Sequence, residues 1–329
     1  MTVMDGKSVL ITGGTGSFGK AFVAHVLRNT RARRVIVFSR DELKQSEMAR
    51  CYPGEERIRF FIGNVRDADR LRRAFVDVDI VIHAAALKQI PIAEYNPLEA
   101  VRTNIHGAEN IIDAAVERGV ERVIALSTDK ASSPANLYGA TKLVSDKLFV
   151  AGNAYVGAGR TRMSVIRYGN VLGSRGSVVP FFQQLAREGA TRVPITDLAM
   201  TRFWISLGKG LQFVCDNLER MHGGEIFVPK LPSMKIVDVA RALVPNAEIE
   251  VTGIRPGEKL HEEMISDTAA RHTLDMGDHY VIQPEMEWWK GPPLQGGKTL
   301  PEGFSYRSDI NESWLSVDGL RDLVGSPLS

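Results

Sequence analysis

A phenol and an amine stand four positions apart at Tyr138 and Lys142. Side chains with this spacing lie on one face of a helix. A free phenol, with a pKa near ~10, is a poor base at neutral pH, but a neighbouring ammonium group stabilises the phenolate and lowers that pKa. The pair could therefore remove a proton from an alcohol while a bound cofactor accepts a hydride. This pattern predicts a redox site.

Thr128, Asp129 and Lys130 stand shortly before this pair. Thr128 could hydrogen-bond the carbonyl group that oxidation creates, but a simple dehydrogenase needs no further acid and base. Because a ketone makes the C–H bond of its neighbouring carbon acidic, Lys130 could remove that proton. The positive charges of Lys142 and an oxidised nicotinamide are expected to disfavour protonation of Lys130. A protonated Asp129 would then donate to a leaving hydroxyl group, and water would be lost. The plainer interpretation makes Asp129 a helix cap and Lys130 a surface side chain.

The segments that must place these groups alternate between short apolar runs and helical stretches. Continuous apolar runs are typical of strands in a parallel sheet that is covered on both faces. The predicted strands lie at residues 9–11, 34–38, 59–62, 80–83, 122–126, 164–167 and 225–228. The predicted helices include residues 20–29, 108–118, 179–188 and 207–220.

This order predicts an α/β protein with a Rossmann-type, doubly wound parallel sheet and a smaller C-terminal substrate-binding lobe. We assign residues 1–175 to the dinucleotide-binding domain, with later segments returning to it. Residues 176–329 are assigned mainly to the lobe and a C-terminal tail.

A glycine-rich turn at residues 12–19 follows the first predicted strand and opens a helix. Glycines there allow a tight turn and a close approach of the backbone to a pyrophosphate at the helix N-terminus. A dinucleotide is therefore expected to contact Gly13, Thr15, Gly16, Ser17, Phe18 and Gly19.

The end of the second predicted strand bears on which dinucleotide binds. An NAD site commonly has an acidic residue there, whereas this chain has Ser39 and Arg40, which suit a ribose 2′-phosphate. Asp41 comes two positions late and could instead cap the next helix. The sequence therefore favours NADP over NAD. Other residues expected near the cofactor are Asp41, Glu42, Leu43, Lys44, Asn64, Val65, Ala84 and Ala86.

The composition excludes several classes of protein. The 329 residues carry a formal net charge of +2, which gives no case for a nucleic-acid or membrane partner. Two cysteines indicate a reducing compartment, and no apolar stretch approaches the ~20 residues that cross a bilayer. The seven histidines show no metal-binding spacing. We expect a cytoplasmic protein without a metal.

Residues 12–19 and 138–142 resemble those of the extended short-chain dehydrogenase/reductases. Within that group, the chain closely resembles the inverting UDP-N-acetylglucosamine 4,6-dehydratases, which open the pseudaminic acid pathway for flagellin glycosylation. The similar stretches are residues 39–48, 86–88, 91–97, 127–131, 167–171, 173–180, 200–204 and 255–259. A small departure is Gln89-Ile90, where His-Val is expected.

The resemblance implies that Asp129, Lys130 and Tyr138 are catalytic, and the expected redox chemistry adds Thr128 and Lys142. Lys130 stands where the glucose-type dehydratases carry a glutamate. The residues that the resemblance places at the UDP-sugar are Lys88, Asn170, Arg175, Arg202, Arg255 and Glu258. Lys88 and Val171, like Tyr138 and Lys142, are also expected at the cofactor. The resemblance alone implies inversion at C5, and it implies a homo-oligomer, either a dimer or a hexamer.

Three alternatives stay open. A capsule-pathway dehydratase would use the same chemistry in another pathway. A UDP-sugar 4-epimerase would need Thr128, Tyr138 and Lys142 but not the Asp-Lys pair. A non-catalytic dinucleotide sensor would not need the intact Tyr-x-x-x-Lys motif.

Overall fold

The structure is a computed structural model that describes residues 2–157, 159–174, 176–286, 289, 294 and 296–325. Its strands are β1 (Ser8–Thr12), β2 (Arg34–Ser39), β3 (Ile58–Ile62), β4 (Ile80–His83), β5 (Arg122–Thr128), β6 (Arg162–Tyr168), β7 (Asn170–Val171), β8 (Arg192–Ile195), β9 (Thr201–Ile205), β10 (Ile226–Pro229), β11 (Ser233–Lys235), β12 (Glu248–Val251), β13 (Glu263–Ile265), β14 (Thr273–Asp275), β15 (His279–Ile282), β16 (Lys298–Thr299) and β17 (Tyr306–Arg307). Its α-helices are α1 (Ser17–Asn29), α2 (Glu42–Ala49), α3 (Ala68–Ala74), α4 (Ile90–Tyr95), α5 (Pro97–Val101), α6 (Gly107–Arg118), α7 (Leu137–Gly152), α8 (Val178–Arg187), α9 (Leu207–Arg220), α10 (Ile236–Leu243), α11 (Asp267–Ala270) and α12 (Val317–Gly325).

The main sheet has the strand order β16-β14-β15-β10-β6-β5-β4-β1-β2-β3. The pairings from β3 across to β10 are parallel, whereas β15, β14 and β16 are added antiparallel. The order 3-2-1-4-5-6 is that of a Rossmann fold, with its switch point between β1 and β4. The predicted doubly wound sheet is therefore confirmed, and the predicted strands are displaced by at most two residues at either end.

Apolar side chains fill both faces of this sheet. Consecutive residues of β1 point to opposite faces, so Leu10 lies in one buried cluster and Val9 and Ile11 lie in the other. Full burial of such an aliphatic side chain contributes about 1.5–3 kcal/mol. The sheet is rigid as a result, and it fixes the loops at the carboxyl ends of its strands.

The second half of the chain divides its segments between this sheet and a smaller lobe. Strands β10, β14, β15 and β16 extend the sheet, while β7, β9 and β11 form a separate three-stranded sheet and β8 pairs with β12. The lobe has its own core, in which Phe182, Trp204 and Met234 are buried. No helix in the described part of the chain is both long and apolar enough to span a bilayer.

Candidate active site

A cleft of about 1260 Å³ runs along the carboxyl ends of the parallel strands, beneath the lobe. Parallel strands present all their carboxyl ends at one edge, which is where α/β proteins bind ligands. The predicted site residues that line it are Gly13, Thr15, Gly16, Ser17, Phe18, Gly19, Ser39, Arg40, Asp41, Lys44, Asn64, Val65, Ala84, Ala86, Lys88, Thr128, Lys130, Tyr138, Lys142, Asn170, Val171, Arg202, Arg255 and Glu258.

Three of the predicted residues that the structure describes stand apart from that wall. Asp129 is fully buried behind it, and Glu42 and Leu43 lie on the exposed side of α2. Arg175 lies outside the described residues. The roles of Glu42, Leu43 and Arg175 therefore stay predictions.

The glycine turn is shaped to let a ligand reach the backbone. Gly13 has a φ of +66°, and a Cβ atom there would lie 3.0 Å from the amide nitrogen of Ala85. At Gly19, a Cβ atom would lie 2.5 Å from the Cα atom of Gly14, so α1 packs directly against the turn. Gly16 caps α1 and has no side chain that could bond the helix N-terminus. The first amide groups of α1 can therefore donate hydrogen bonds to phosphate oxygens. This cradle fits a dinucleotide pyrophosphate.

A buried histidine supports the turn from beneath. Nδ1 of His83 lies 2.9 Å from the hydroxyl of Thr12, which also accepts hydrogen bonds from the amides of Ala84 and Ala85. Burial, together with a smaller contribution from the charge of Lys142, lowers the pKa of His83 to about 3. His83 is therefore neutral, and it joins β1 to β4 at the switch point.

The end of β2 holds the residues that were expected to select the cofactor. Ser39 is buried, and its hydroxyl accepts a hydrogen bond from Nε2 of Gln45. Arg40 is exposed at the rim of the cleft. Asp41 accepts a hydrogen bond from the amide of Lys44 and caps α2, so this predicted cap is confirmed. No carboxylate therefore ends β2 itself.

Helix α7 positions the phenol and the amine. Its N-terminus is capped by Asn136, whose side chain accepts a hydrogen bond from the amide of Gly139. Tyr138 then lies at the start of the helix, and the ammonium of Lys142 donates to the carbonyl of Leu126 at 2.8 Å. This bond joins α7 to β5, which ends in Thr128.

The pKa of Tyr138 shifts in the direction opposite to the expected one. Burial raises it to about 12, and the charge of Lys130 only partly opposes this. Burial also lowers the pKa of Lys142, which Asp146 opposes from one turn further along α7. The expected lowering of the Tyr138 pKa by Lys142 is therefore wrong for this structure, because desolvation outweighs the neighbouring charges.

Asn104 is a site residue that the sequence analysis missed. It lies in a π-helical turn, residues 102–106, between α5 and α6. Its amide donates to the carbonyl of Leu87 and to the hydroxyl of Thr141, and its oxygen accepts from the amide of Leu87. Asn104 thus ties α7 to the loop that carries Lys88. A buried polar residue within a helix is a weak signal, so the pattern alone could not reveal this role.

Asp129, Lys130 and Glu262 form a buried charged cluster. Nζ of Lys130 lies 3.0 Å from Oδ1 of Asp129 and 3.1 Å from Oε1 of Glu262. The side chain of Lys130 is 19% exposed, and those of Asp129 and Glu262 are 0% and 2% exposed. Lys130 is therefore not an ordinary surface lysine. The short 3₁₀ turn that contains both residues is capped by Thr128 rather than by Asp129.

Burial and the paired charges set the protonation of this cluster. Burial raises the pKa of Asp129, as its expected role as an acid requires. Burial would lower the pKa of Lys130, but Asp129 and Glu262 outweigh it and hold that pKa above its usual range. The expectation that protonation of Lys130 is disfavoured is therefore wrong for this structure. Glu262 supplies a negative charge that the sequence analysis did not assign.

The residues predicted at the substrate lie in two settings. Lys88 lines the cleft, and burial lowers its pKa. Arg255 is exposed, and its amide donates to the carboxylate of Glu258 at 3.3 Å. Arg202 is buried, and its guanidinium donates to the carbonyls of Thr201, Lys259 and Leu260. Through these bonds, Arg202 stabilises the wall of the cleft. Arg202 also lines the cleft, where its guanidinium could contact a ligand.

Within the described residues, no group of His, Cys, Asp and Glu side chains could hold a metal ion. The cleft combines a dinucleotide cradle, a phenol beside a lysine, and a separate carboxyl–amine pair. Such a set can support transient oxidation together with acid–base chemistry on a neighbouring carbon.

The Rossmann sheet, the glycine turn and the Tyr-x-x-x-Lys pair define a short-chain dehydrogenase/reductase. Residues 9–284 match the family described as polysaccharide biosynthesis protein. The chain belongs to this family.

Several known proteins are similar to the chain. It is 54% identical to the inverting UDP-N-acetylglucosamine 4,6-dehydratase of Campylobacter jejuni, over 98% of each chain. It is 41% identical to the UDP-glucose 4-epimerase of Rickettsia conorii, over 90% of this chain and 87% of the epimerase. The resemblance to the inverting dehydratases is therefore confirmed.

Solved structures confirm the fold. Pen from Bacillus thuringiensis superposes with a TM-score of 0.90 at 35% identity, covering 98% of each chain. DesIV, a dTDP-glucose 4,6-dehydratase from Streptomyces venezuelae solved with NAD and TYD bound, gives a TM-score of 0.69 at 24% identity. That alignment covers 77% of this chain and 86% of DesIV.

Proposed function

We propose that this protein is a UDP-N-acetylglucosamine 4,6-dehydratase that inverts C5. Its product would be UDP-2-acetamido-2,6-dideoxy-β-L-arabino-hex-4-ulose. The observation that carries the proposal is the buried Asp129–Lys130 pair beside Tyr138 in a dinucleotide cleft. The 54% identity to an inverting dehydratase supports both the substrate and the stereochemistry.

The residues divide the reaction into an oxidation and an elimination. The phenolate form of Tyr138, which the charge of Lys130 favours, takes the proton of the C4 hydroxyl, and Thr128 hydrogen-bonds the resulting carbonyl oxygen. Lys130 passes its own proton to Asp129 across their 3.0 Å contact and then removes the proton at C5, and Asp129 protonates the C6 hydroxyl as it leaves as water. A nicotinamide dinucleotide held in the cleft would supply a reversible hydride acceptor, so that oxidation at C4 and the later reduction at C6 would give no net oxidation.

We infer that NADP is the preferred dinucleotide. Ser39 and Arg40 occupy the end of β2, where an acidic residue would favour NAD. Asp41 is engaged as the cap of α2, so its carboxylate is already bonded to the helix backbone. The hydroxyl of Ser39 and the fork of Arg40 are suited to a 2′-phosphate.

We further propose a cytoplasmic homo-oligomer that begins pseudaminic acid biosynthesis. This placement rests on the family resemblance and, for the compartment, on the scarcity of cysteine. A capsule-pathway dehydratase would have the same site and the same product.

The test is to incubate the protein with UDP-N-acetylglucosamine and NADP in deuterated water and to follow the products by NMR. A 4-keto-6-deoxy sugar with deuterium at C5 is expected. Nuclear Overhauser contacts of the C5 proton, measured after a parallel reaction in ordinary water, report which configuration forms. Formation of the galacto epimer alone would refute the dehydratase.

The same experiment addresses a second candidate, a UDP-sugar 4-epimerase. The Rickettsia relative, at 41% identity, favours it. An epimerase needs Thr128, Tyr138 and Lys142, but its reaction does not require an acid–base pair such as Asp129 and Lys130. Retention of oxygen at C6 in the product would identify the epimerase.

A further inference from the structure

Glu262 is a buried carboxylate without an assigned role, and it faces the amine of Lys130. It belongs to residues 257–263, which we call the strap because they cross from the lobe to the catalytic loop. Oε1 of Glu262 lies 3.1 Å from Nζ of Lys130 and 3.6 Å from Nε of Arg202. Oε2 is buried and has no hydrogen-bond partner among the residues that the structure describes. A buried charge with one oxygen unsatisfied is costly to keep, which indicates that this carboxylate has a function.

The strap is held so that this carboxylate cannot swing away. The amide of Glu262 donates to the hydroxyl of Ser308, and the amide of Ser308 donates to the carbonyl of Glu262. The ammonium of Lys259 donates to the carbonyl of Ser132 at 2.7 Å, next to the catalytic turn. Bonds from Arg202 to the carbonyls of the strap complete the attachment. The position of Glu262 is therefore fixed relative to Lys130.

We propose that Glu262 is a positioning residue that aims the Lys130 amine into the cleft and stabilises the ammonium formed when Lys130 takes the C5 proton. This inference rests on the proposed dehydratase function. Glu262 contacts neither reacting carbon in this proposal, and it acts only through Lys130.

In the elimination, Lys130 accepts one proton and Asp129 supplies one. The Lys130 ammonium first passes its proton to Asp129 across their 3.0 Å contact, which leaves a neutral amine and a protonated acid. The C5–H bond then breaks, its proton moves to Nζ of Lys130, and its electron pair forms an enolate on the C4 oxygen. The enolate then forms the C5–C6 double bond as the C6–O bond breaks, and Asp129 supplies the proton that makes the leaving group water. Lys130 ends the step as an ammonium beside the charged Glu262.

The other charges around Lys130 explain why one carboxylate is insufficient. Asp129 and Glu262 favour its ammonium form, whereas Arg202 disfavours it. Lys88 and Lys259 are also within range, since Lys130 contributes to lowering their pKa values after burial does. Tyr138 faces the same group and is neutral near pH 7. Because Asp129 must give up its own proton during the elimination, Glu262 is the constant partner of Lys130.

The test measures the pH dependence of C5 deuterium incorporation in single turnovers by Glu262→Gln. The loss of one neighbouring charge should move the rising limb of that profile to lower pH by about 1–3 units. The plateau rate should fall, because a less basic amine is a weaker proton acceptor. The initial C4 oxidation, followed by the absorbance of the reduced nicotinamide, should keep its wild-type rate. A purely structural role would not separate these two steps.

Two further variants serve as controls. Glu263→Gln alters the adjacent carboxylate, which accepts hydrogen bonds from Ser132 and Ser133, and it should leave the pH of the limb unchanged. Glu262→Asp keeps the negative charge on a shorter side chain. The rising limb of its pH profile should therefore lie nearer to that of the wild type, while its C5 exchange should be slower.

The inference is overturned if Glu262→Gln leaves the limb in place or slows C4 oxidation as much as C5 exchange. If Glu262→Gln does not fold, Glu262→Asp provides the test. A wild-type rate of C5 exchange in Glu262→Asp would also overturn the positioning role of Glu262. The wild-type arm separates this outcome from failure of the proposed function, since an enzyme without C5 exchange or 4-keto-6-deoxy product would refute the dehydratase itself.

Discussion

Replacement of Arg40 by alanine should convert the proposed preference for NADP over NAD into nearly equal affinity for the two dinucleotides. Arg40 is exposed at the rim of the cleft, and its planar fork is suited to two phosphate oxygens. A hydrogen bond to a charged group contributes about 1.5–3 kcal/mol, which corresponds to about 10–150-fold in Kd. Ser39 adds a smaller share, because its hydroxyl accepts from Gln45 and keeps only its own hydrogen to donate.

The assay is a titration of wild type and Arg40→Ala with NADP⁺ and with NAD⁺ under the same salt conditions. The Kd for NADP⁺ should rise by about 10–150-fold, whereas that for NAD⁺ should stay close to wild type, because NAD⁺ lacks the 2′-phosphate. Arg50→Ala is the matched control, since Arg50 is exposed at the other end of α2. Equal loss of both dinucleotides, or a wild type that binds NAD⁺ as tightly as NADP⁺, would refute the reasoning.

Three further outcomes are expected. Lys130→Ala should still bind the dinucleotide but lose at least ~10²-fold in product formation, and normal turnover would contradict its role as the base. Asp146→Asn should lower the free energy of unfolding by about 3–5 kcal/mol in a urea titration, because it leaves the buried Arg167, 3.1 Å away, without its partner. The double variant Asp146→Leu with Arg167→Met should recover much of that loss, and a double variant as unstable as the single one would contradict this account. The pKa of His83 falls from 6.5 to about 3 on folding. Between these two pH values the unfolded chain binds a proton that the folded chain does not bind, so the free energy of unfolding should fall as the pH falls from 6.5 to about 3. His83→Gln should make this decline shallower by up to about 1.4 kcal/mol per pH unit, and an unchanged slope would show that other groups cause it.

The sequence was sufficient to predict the frame of this molecule because its signals are local. Each strand of the parallel sheet is a short apolar run, and the glycine turn directly follows the first of them. The alternation of strands and helices then leaves few possible topologies. The C-terminal strands β14 and β16 were not predicted, since they are short and they join the sheet only through tertiary pairing.

The site was predictable where chemistry depends on spacing and not where it depends on burial. The positions of Tyr138, Lys142 and Lys130 in one cleft agree with their spacing on α7 and at the end of β5. Glu262 and Asn104 were missed because they meet the site only after the chain has folded. The directions predicted for the pKa values of Tyr138 and Lys130 were wrong for the same reason, since desolvation and distant charges are absent from a local pattern.

The path of the chain between the sheet and the lobe limits how this enzyme can change its substrate. After β9 the chain returns to the sheet at β10, leaves it for β11 and β12, and returns again at β14. A protein cut after residue 175 would expose the edge of β6 that β10 covers, so the first half is not a unit that could be paired with another lobe. A single exchange of the chain at that point would therefore separate strands that pair in one sheet, whereas side chains in the cleft can be replaced without breaking it.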